Sequence, residues 1–417
     1  MTMFGVSENE AVPLLTALAG RELGRDDQLE LFARAAWSGI AEPGDRMAGL
    51  IVRQLGAVEA LRTVLTGPSV DTLLVRLSDG GAADPDQQQV ADALGRWRPR
   101  LQVSSVLHAM RQAARVDARL LVPADLRWPA GVDDLEEHAP IALWVRGTEA
   151  ALAAMPRSIA LVGARAATGY GEHVTMEASA GLVDRGYSIV SGAAYGIDGM
   201  AHRAALASHG FTIAFLAGGL DRFYPSGHEA LLTRIAESGA VLSEVPCGTT
   251  PTKWRFLQRN RLIAASSLAT IVLEAGWRSG SLNTAGHASS LGRPLGAVPG
   301  PVTSAASAGC HRLIRDYDAV CVTNVDEMAE LAPIAGRTAD AVAESERAAA
   351  GRGAVPGDPA SAEHTRLLDA LSARSPRTAA DLAARSGLSI ARVQSLLGAL
   401  ELDGEVRESE RGWMRRS

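Results

Sequence analysis

Lysine is almost missing from this chain: of 41 basic residues, Lys253 is the only lysine. Arginine is the default cation here, so any arginine given a role must be justified by its position rather than its type. Cysteine is scarce too. Cys247, Cys310 and Cys321 are odd in number and show neither a CxxC pair nor His/Cys ligand spacing. That excludes a disulfide framework and a structural zinc site, and fits a reducing compartment. No apolar run approaches the ~18 residues needed to cross a bilayer. The N-terminal residues lack a basic segment followed by an apolar one, and no lipidation box follows Trp413, so the expected location is the cytoplasm. An excess of positive charge is also missing: 47 acidic against 41 basic residues leave a net charge of -6. This disfavours a partner held by bulk positive charge, without excluding a local basic site.

The 417 residues are enough for two or three domains. Residues 1–115 lack strand-like runs and carry helical spacing, as in Leu29-Leu31-Phe32-Ala35 and Leu50-Ile51-Leu55-Val58-Leu61, which predicts a small helical domain. A polar stretch from Ser78 through Gln89 reads as a loop within it. From Ser158 the pattern changes to short apolar runs separated by helical stretches. The runs are Ser158–Val162, Tyr187–Val190, Phe211–Leu216, Val241–Leu242, Ala269–Leu273, Leu295–Val298 and Ala319–Val322. Apolar strands alternating with helices predict a doubly wound, parallel α/β sheet over 116–333, with ligands at the carboxyl ends of its strands. Residues 334–361 have the Ala, Gly, Glu and Pro composition of a flexible linker. The spacing over 362–417 predicts three helices and a two-stranded ribbon, Glu405–Arg407 with Gly412–Met414, the order of a winged helix.

The strand ends carry the candidate chemistry. Gly163 and Arg165 follow the first run, where a helix N-terminus and a cation suit a phosphate; alternatively the glycine serves only the turn. After the second run come Ser191 and Gly192, then Asp198 and His202, an acid/base pair or, on the blander reading, a cap and its neighbour. Arg222 lies between Gly219 and Tyr224-Pro225 in a loop that either meets nucleic acid or covers the sheet edge. No acid occurs between Glu244 and Glu274, whereas Lys253, Arg255, Arg259 and Arg261 alternate with Trp254 and Phe256. Such a patch suits single-stranded nucleic acid, or is a helix face paired to distant carboxylates. Ser279, Gly280 and Ser281 open a helix and suit an anion or ordinary capping.

These motifs together resemble the DNA-processing protein A family (DprA, also called Smf). They run from Val162-Gly163-Ala164-Arg165 and Ser191-Gly192-Ala193-Ala194-Tyr195-Gly196-Ile197-Asp198 through Gly219-Leu220-Asp221, Ser243-Glu244 and Arg259-Asn260-Arg261. They continue with Glu274-Ala275, Ser279-Gly280-Ser281-Leu282, Pro299-Gly300 and Ser307-Ala308-Gly309. The resemblance covers roughly 118–330 and implies a Rossmann-like core that binds incoming single-stranded DNA, protects it and loads the RecA recombinase in natural transformation. It implies a dimer, no enzymatic activity and no cofactor, with an N-terminal domain of SAM or helix-hairpin-helix type. By position, Arg165 would grip the DNA backbone, Arg222 would lie in the DNA pocket, and Arg259, Asn260 and Arg261 would form the family's RNR signature. The chain departs from the pattern at Ala164, at Leu257-Gln258 and at His311, which replaces a common Asn.

Two other functions compete. A nucleotide phosphoribohydrolase of similar core would need a PGGxGTxxE-type turn, which Gly218-Gly219-Leu220-Asp221 and Ser279-Gly280-Ser281 do not match. A transcription regulator would use the winged helix, but nine Arg against eight Asp and Glu from Ala362 to Ser417 give only +1, feeble for a module that reads phosphates.

Overall fold

The computed structural model describes residues 2–78, 85–334, 367–368, 370–372, 375–386, 390–402, 405–409 and 412–415. The chain opens with two short strands, β1 (Thr2–Met3) and β2 (Val6–Ser7). Seven helices follow: α1 (Glu8–Ala19), α2 (Arg25–Ile40), α3 (Arg46–Leu55), α4 (Ala57–Leu65), α5 (Val70–Ser78), α6 (Gln87–Trp97) and α7 (Val103–Arg115). Next come β3 (Arg119–Leu121), β4 (Leu143–Gly147), α8 (Glu149–Ala154), β5 (Ser158–Gly163), α9 (Gly169–Asp184), β6 (Ser188–Ser191) and α10 (Ile197–Ala207). They are followed by β7 (Thr212–Leu216), α11 (Glu229–Ser238), β8 (Ala240–Ser243), α12 (Lys253–Ala265), β9 (Ala269–Glu274), α13 (Ser281–Ser290), β10 (Leu295–Ala297), α14 (Ala308–Asp316), β11 (Val320–Cys321) and α15 (Val325–Glu330).

The fold divides into two compact units. One comprises Met1–Met155 with Ile213–Ser266, the other Pro156–Thr212 with Ser267–Ser417. In the first unit, the helical spacing read over Leu50–Leu61 resolves into two helices, because Gly56 sits at φ 76° and ends α3. Helix α6 begins at Gln87, inside the stretch expected to be loop, since Asp86 and Gln89 form a reciprocal capping box there. Residues 79–84 of that expected loop lie outside the described residues. Trp37 on α2 donates to Ala57 O at 3.3 Å, and Trp144 on β4 donates to Ser38 Oγ at 3.2 Å, so both buried indoles satisfy their polar ends. The strands run in the order β7-β8-β4-β3, with β7 and β8 parallel and β4 and β3 antiparallel. This departs from an all-parallel expectation: β4 runs antiparallel to both of its neighbours, β8 and β3.

The second unit carries β11-β10-β9-β5-β6, all parallel. Apart from the edge strand β11, whose two residues are exposed, its strands are buried almost along their length, as in Ala269–Glu274, which is why they read as mostly apolar runs. After β5 the chain forms β6 on one side and later returns as β9 on the other, so a topological switch point lies at the carboxyl ends of β5 and β9. A bulge between Val162 and Gly163 brings Gly163 opposite Glu274. Strand by strand, the sheet is mostly parallel and flanked by helices, the Rossmann-like class expected.

At the C-terminus, helices Ala379–Ser386 and Ile390–Leu402 precede the antiparallel pair β12 (Val406–Ser409) and β13 (Gly412–Arg415). Leu367, Leu382, Val393, Leu397, Leu400 and Val406 share one core, the helix-and-ribbon order read from the sequence. The expected linker falls almost wholly outside the described residues. Among those described, no helix is long and apolar enough to cross a membrane.

Candidate nucleic-acid interface

Each unit brings one set of the candidate residues together. In the second unit the set lies at the switch point. Gly163 closes β5, and a Cβ there would lie 2.5 Å from Ile197 Cγ1 and 2.8 Å from Glu274 O, so only glycine lets the loop fold onto β9. Ala164 N donates to Glu274 O at 2.7 Å, and Ile197 N donates to Ala164 O at 3.1 Å. The Glu274 carboxylate is buried and accepts Thr168 N at 2.8 Å and Thr168 Oγ1 at 2.5 Å. Between these clamps Arg165 is exposed. The turn is thus anchored on both sides of an exposed arginine.

Ser191 and Gly192 serve this loop from inside. Ser191 is buried and donates to Leu161 O at 2.6 Å, while Gly192 N donates to Asp198 Oδ2 at 3.2 Å. Asp198 also accepts Ala194 N, so its carboxylate pins its own turn. His202 lies beside Thr212 instead, with Nδ1 2.7 Å from Thr212 Oγ1. The acid/base reading of Asp198 and His202 therefore gives way to the structural one. At the start of α13, Ser279 and Ser281 hydroxyls pair at 2.8 Å, with Gly280 exposed between them. His311 Nε2 lies 2.9 Å from Gly300 O, which turns this ring to the backbone of the loop after β10.

In the first unit, Gly219 N donates to Thr249 O at 2.8 Å and Gly248 N to Asp221 Oδ1 at 2.7 Å. These bonds hold the loop after β7 against the one leading into α12. Tyr224 reaches Phe256 with ring centroids 5.7 Å apart. Arg222, Lys253 and Trp254 are exposed. The other cations of the patch turn inward. Arg255 donates to both carboxylate oxygens of Glu42, at 2.8 and 3.0 Å. Arg261, only 3% exposed, donates to both oxygens of Glu244 at 2.7 and 2.8 Å. Arg259 is 5% exposed, donates to Phe215 O and reaches Asn260 Oδ1 at 3.3 Å. A direct phosphate contact by Arg259 or Arg261 does not fit this burial, and the reading of distant carboxylates pairing with the helix fits Arg255 and Arg261.

Gly44 explains why the pairing is tight. At φ 73° it donates its N–H to Glu244 Oε1 at 3.2 Å, and a Cβ would lie 2.6 Å from Gln258 Oε1. Burial raises the Glu42 carboxyl, but the Arg255 and Arg100 guanidiniums outweigh it and hold the group below its ordinary value. Burial also pushes the Cys247 thiol to about 11 and the Cys310 thiol to about 12, so neither is a nucleophile at neutral pH. Among the described residues no group of three or more His, Cys, Asp or Glu could hold a metal ion.

Residues 119–333 match the family model for DNA recombination-mediator protein A, and residues 353–410 match the DprA winged helix domain. The chain belongs to the DprA family. A chain named as a DNA processing protein DprA in Mycobacterium tuberculosis (strain H37Rv) is 39% identical over 402 residues, covering 91% of this chain and 93% of its own. The DprA of Streptococcus pneumoniae (strain R6) is 40% identical over 199 residues, which is 47% of this chain and 70% of its own. The X-ray structure of the Streptococcus pneumoniae DprA has a TM-score of 0.55 at 27% identity, covering 72% of this chain and 97% of that one. DprA membership thus rests on the core, on the winged helix and on near-full-length similarity. The sequence reading did not single out Trp277, an exposed ring just beyond β9. Its available signal was an aromatic falling immediately outside an apolar run.

Proposed function

We propose that this chain binds single-stranded DNA without sequence preference, protects it and loads the RecA recombinase onto it during DNA uptake, as a cytoplasmic homodimer that catalyses no reaction. The observation that carries the reading is a set of exposed side chains: Arg165 on a strand-end turn in one unit, and, in the other, Arg222 and Tyr224 on the loop after β7 with Lys253 and Trp254 in the first turn of α12. Cations reach the backbone and rings stack on bases whatever their identity. DprA membership adds a recombination-mediator role, from which the recombinase, the dimer and DNA uptake are inherited. Gly163, Ser191, Gly192, Ser279, Gly280 and Ser281 shape the turns, while Arg259, Asn260 and Arg261 support α12 rather than touch phosphate. The working domains are 1–115, 116–333 and 362–417, joined across 334–361. The phosphoribohydrolase reading is not favoured, since neither glycine turn matches its motif.

Fluorescence anisotropy on a labelled oligonucleotide tests the reading. Four arginines on phosphates would give a slope of log K against log salt near −3, but the three exposed cations Arg165, Arg222 and Lys253 give about −2, at about −0.7 per phosphate. Arg165→Ala is expected to weaken binding and flatten the slope by about 0.7. Equal affinity of wild type and variant removes Arg165 from the site. No binding by either, or tighter binding of duplex, sinks the reading.

A further inference from the structure

Trp277 is 54% exposed on the turn between β9 and α13. The turn follows the carboxyl end of β9, one of the two switch-point strands, and ligands of open α/β sheets bind outside the carboxyl ends of such strands. The ring is held in place. The Arg312 guanidinium carbon lies 5.1 Å from the Trp277 ring centroid and 5.6 Å from that of Tyr317. The turn beneath is anchored as well: Gly309 N donates to Ala275 O at 2.7 Å, and Ser279 N donates to Gly276 O at 3.1 Å. A Cβ on Gly309 would lie 2.6 Å from Gly276 O, so α14 starts in direct contact with this turn. A ring fixed before binding loses little freedom on engaging a partner.

The electrostatics select the partner. From Val245 to Arg315, Glu274 is the only acid, and its buried carboxylate is taken up by Thr168. Asp316 reaches Arg312 Nε at 3.8 Å and is bonded by Arg315 at 2.8 Å. Arg278, next to Trp277, is exposed. An indole face with one cation against it and another beside it suits a base and the phosphate that follows it.

We propose that Trp277 is a base-stacking subsite for single-stranded DNA, with Arg312 holding the ring and Arg278 meeting the adjacent phosphate. The proposal rests on the single-strand reading of this chain and names a contact which that reading does not contain. The test uses the full chain, a labelled oligothymidylate and an abasic deoxyribose-phosphate strand of equal length. Wild type should prefer the base-bearing strand. Trp277→Ala should lose about tenfold on it, about 1.4 kcal/mol, with no loss on the abasic strand and an unchanged salt slope. Trp277→Phe should keep most of the affinity. Equal loss on both strands overturns the subsite, and so does no loss on either, including no loss accompanied by a smaller oligomer, which would make Trp277 a protein contact. Failure of wild type to bind oligothymidylate would overturn the single-strand reading itself; binding that Trp277→Ala leaves unchanged overturns this proposal alone.

Discussion

Arg261 and Arg222 are the same side chain in opposite settings. Arg261 is sealed against Glu244, whose own side chain is 12% exposed, so removing the arginine leaves a largely buried carboxylate without its counter-charge, although the Gly44 N–H still donates to it. Breaking such a pair costs about 3–5 kcal/mol. Arg261→Ala should lower the urea midpoint accordingly, and a variant as stable as wild type would show that the pair contributes nothing. Arg222 is exposed on a loop, where truncation changes stability by no more than about 0.5 kcal/mol. Arg222→Ala should keep the midpoint and lose affinity for single-stranded DNA. The opposite pattern, lost stability with intact binding, would reverse the roles assigned to the two arginines. Residue type could not separate them in a chain whose cations are nearly all arginine; burial and the carboxylate opposite could.

Among the elements, α9 and β9 meet where Glu274 ties down the β5–α9 turn. A Cβ on Gly171 would lie 2.3 Å from Glu274 Oε2. Gly171→Ala should therefore push the carboxylate off Thr168 and loosen the turn that carries Arg165, at a cost of about 1–3 kcal/mol. Hydrogen exchange at Thr168 N should rise. Unchanged exchange would mean that the carboxylate does not hold the turn. The segment after α2 is joined to α12 through Glu42, which lies beside Arg255 and Arg100. Because the folded state holds the Glu42 pKa below 4.5, its contribution is fully present above that pH and disappears as pH falls through the lowered value. Glu42→Gln should melt below wild type at neutral pH, and the gap should close under acid. A gap that persists under acid would assign the loss to packing. The capping box at Asp86 and Gln89 was legible as a D-x-x-Q pattern, yet the glycines and polar residues just before it read as one continuous loop.

At the scale of the whole molecule, the net charge of +1 over the segment 362–417 argues against its reading duplex DNA by itself. The isolated fragment is expected to show no sub-micromolar duplex binding at physiological salt, and such binding in an electrophoretic shift assay would make it a DNA reader. The apolar runs and glycine-ended turns determined the strand-helix alternation, the class of fold and the loops that carry the candidate residues, because a strand buried on both faces is predominantly apolar and a turn that needs positive φ or close backbone approach favours glycine. The reversed direction of β4 between β8 and β3, the inward course of Arg255, Arg259 and Arg261, and the exposure of Trp277 were decided by tertiary structure alone. Direction, burial and pairing depend on residues far away in the chain: Glu42 and Gly44 for the arginines of α12, and Gly309 and Arg312 for the ring.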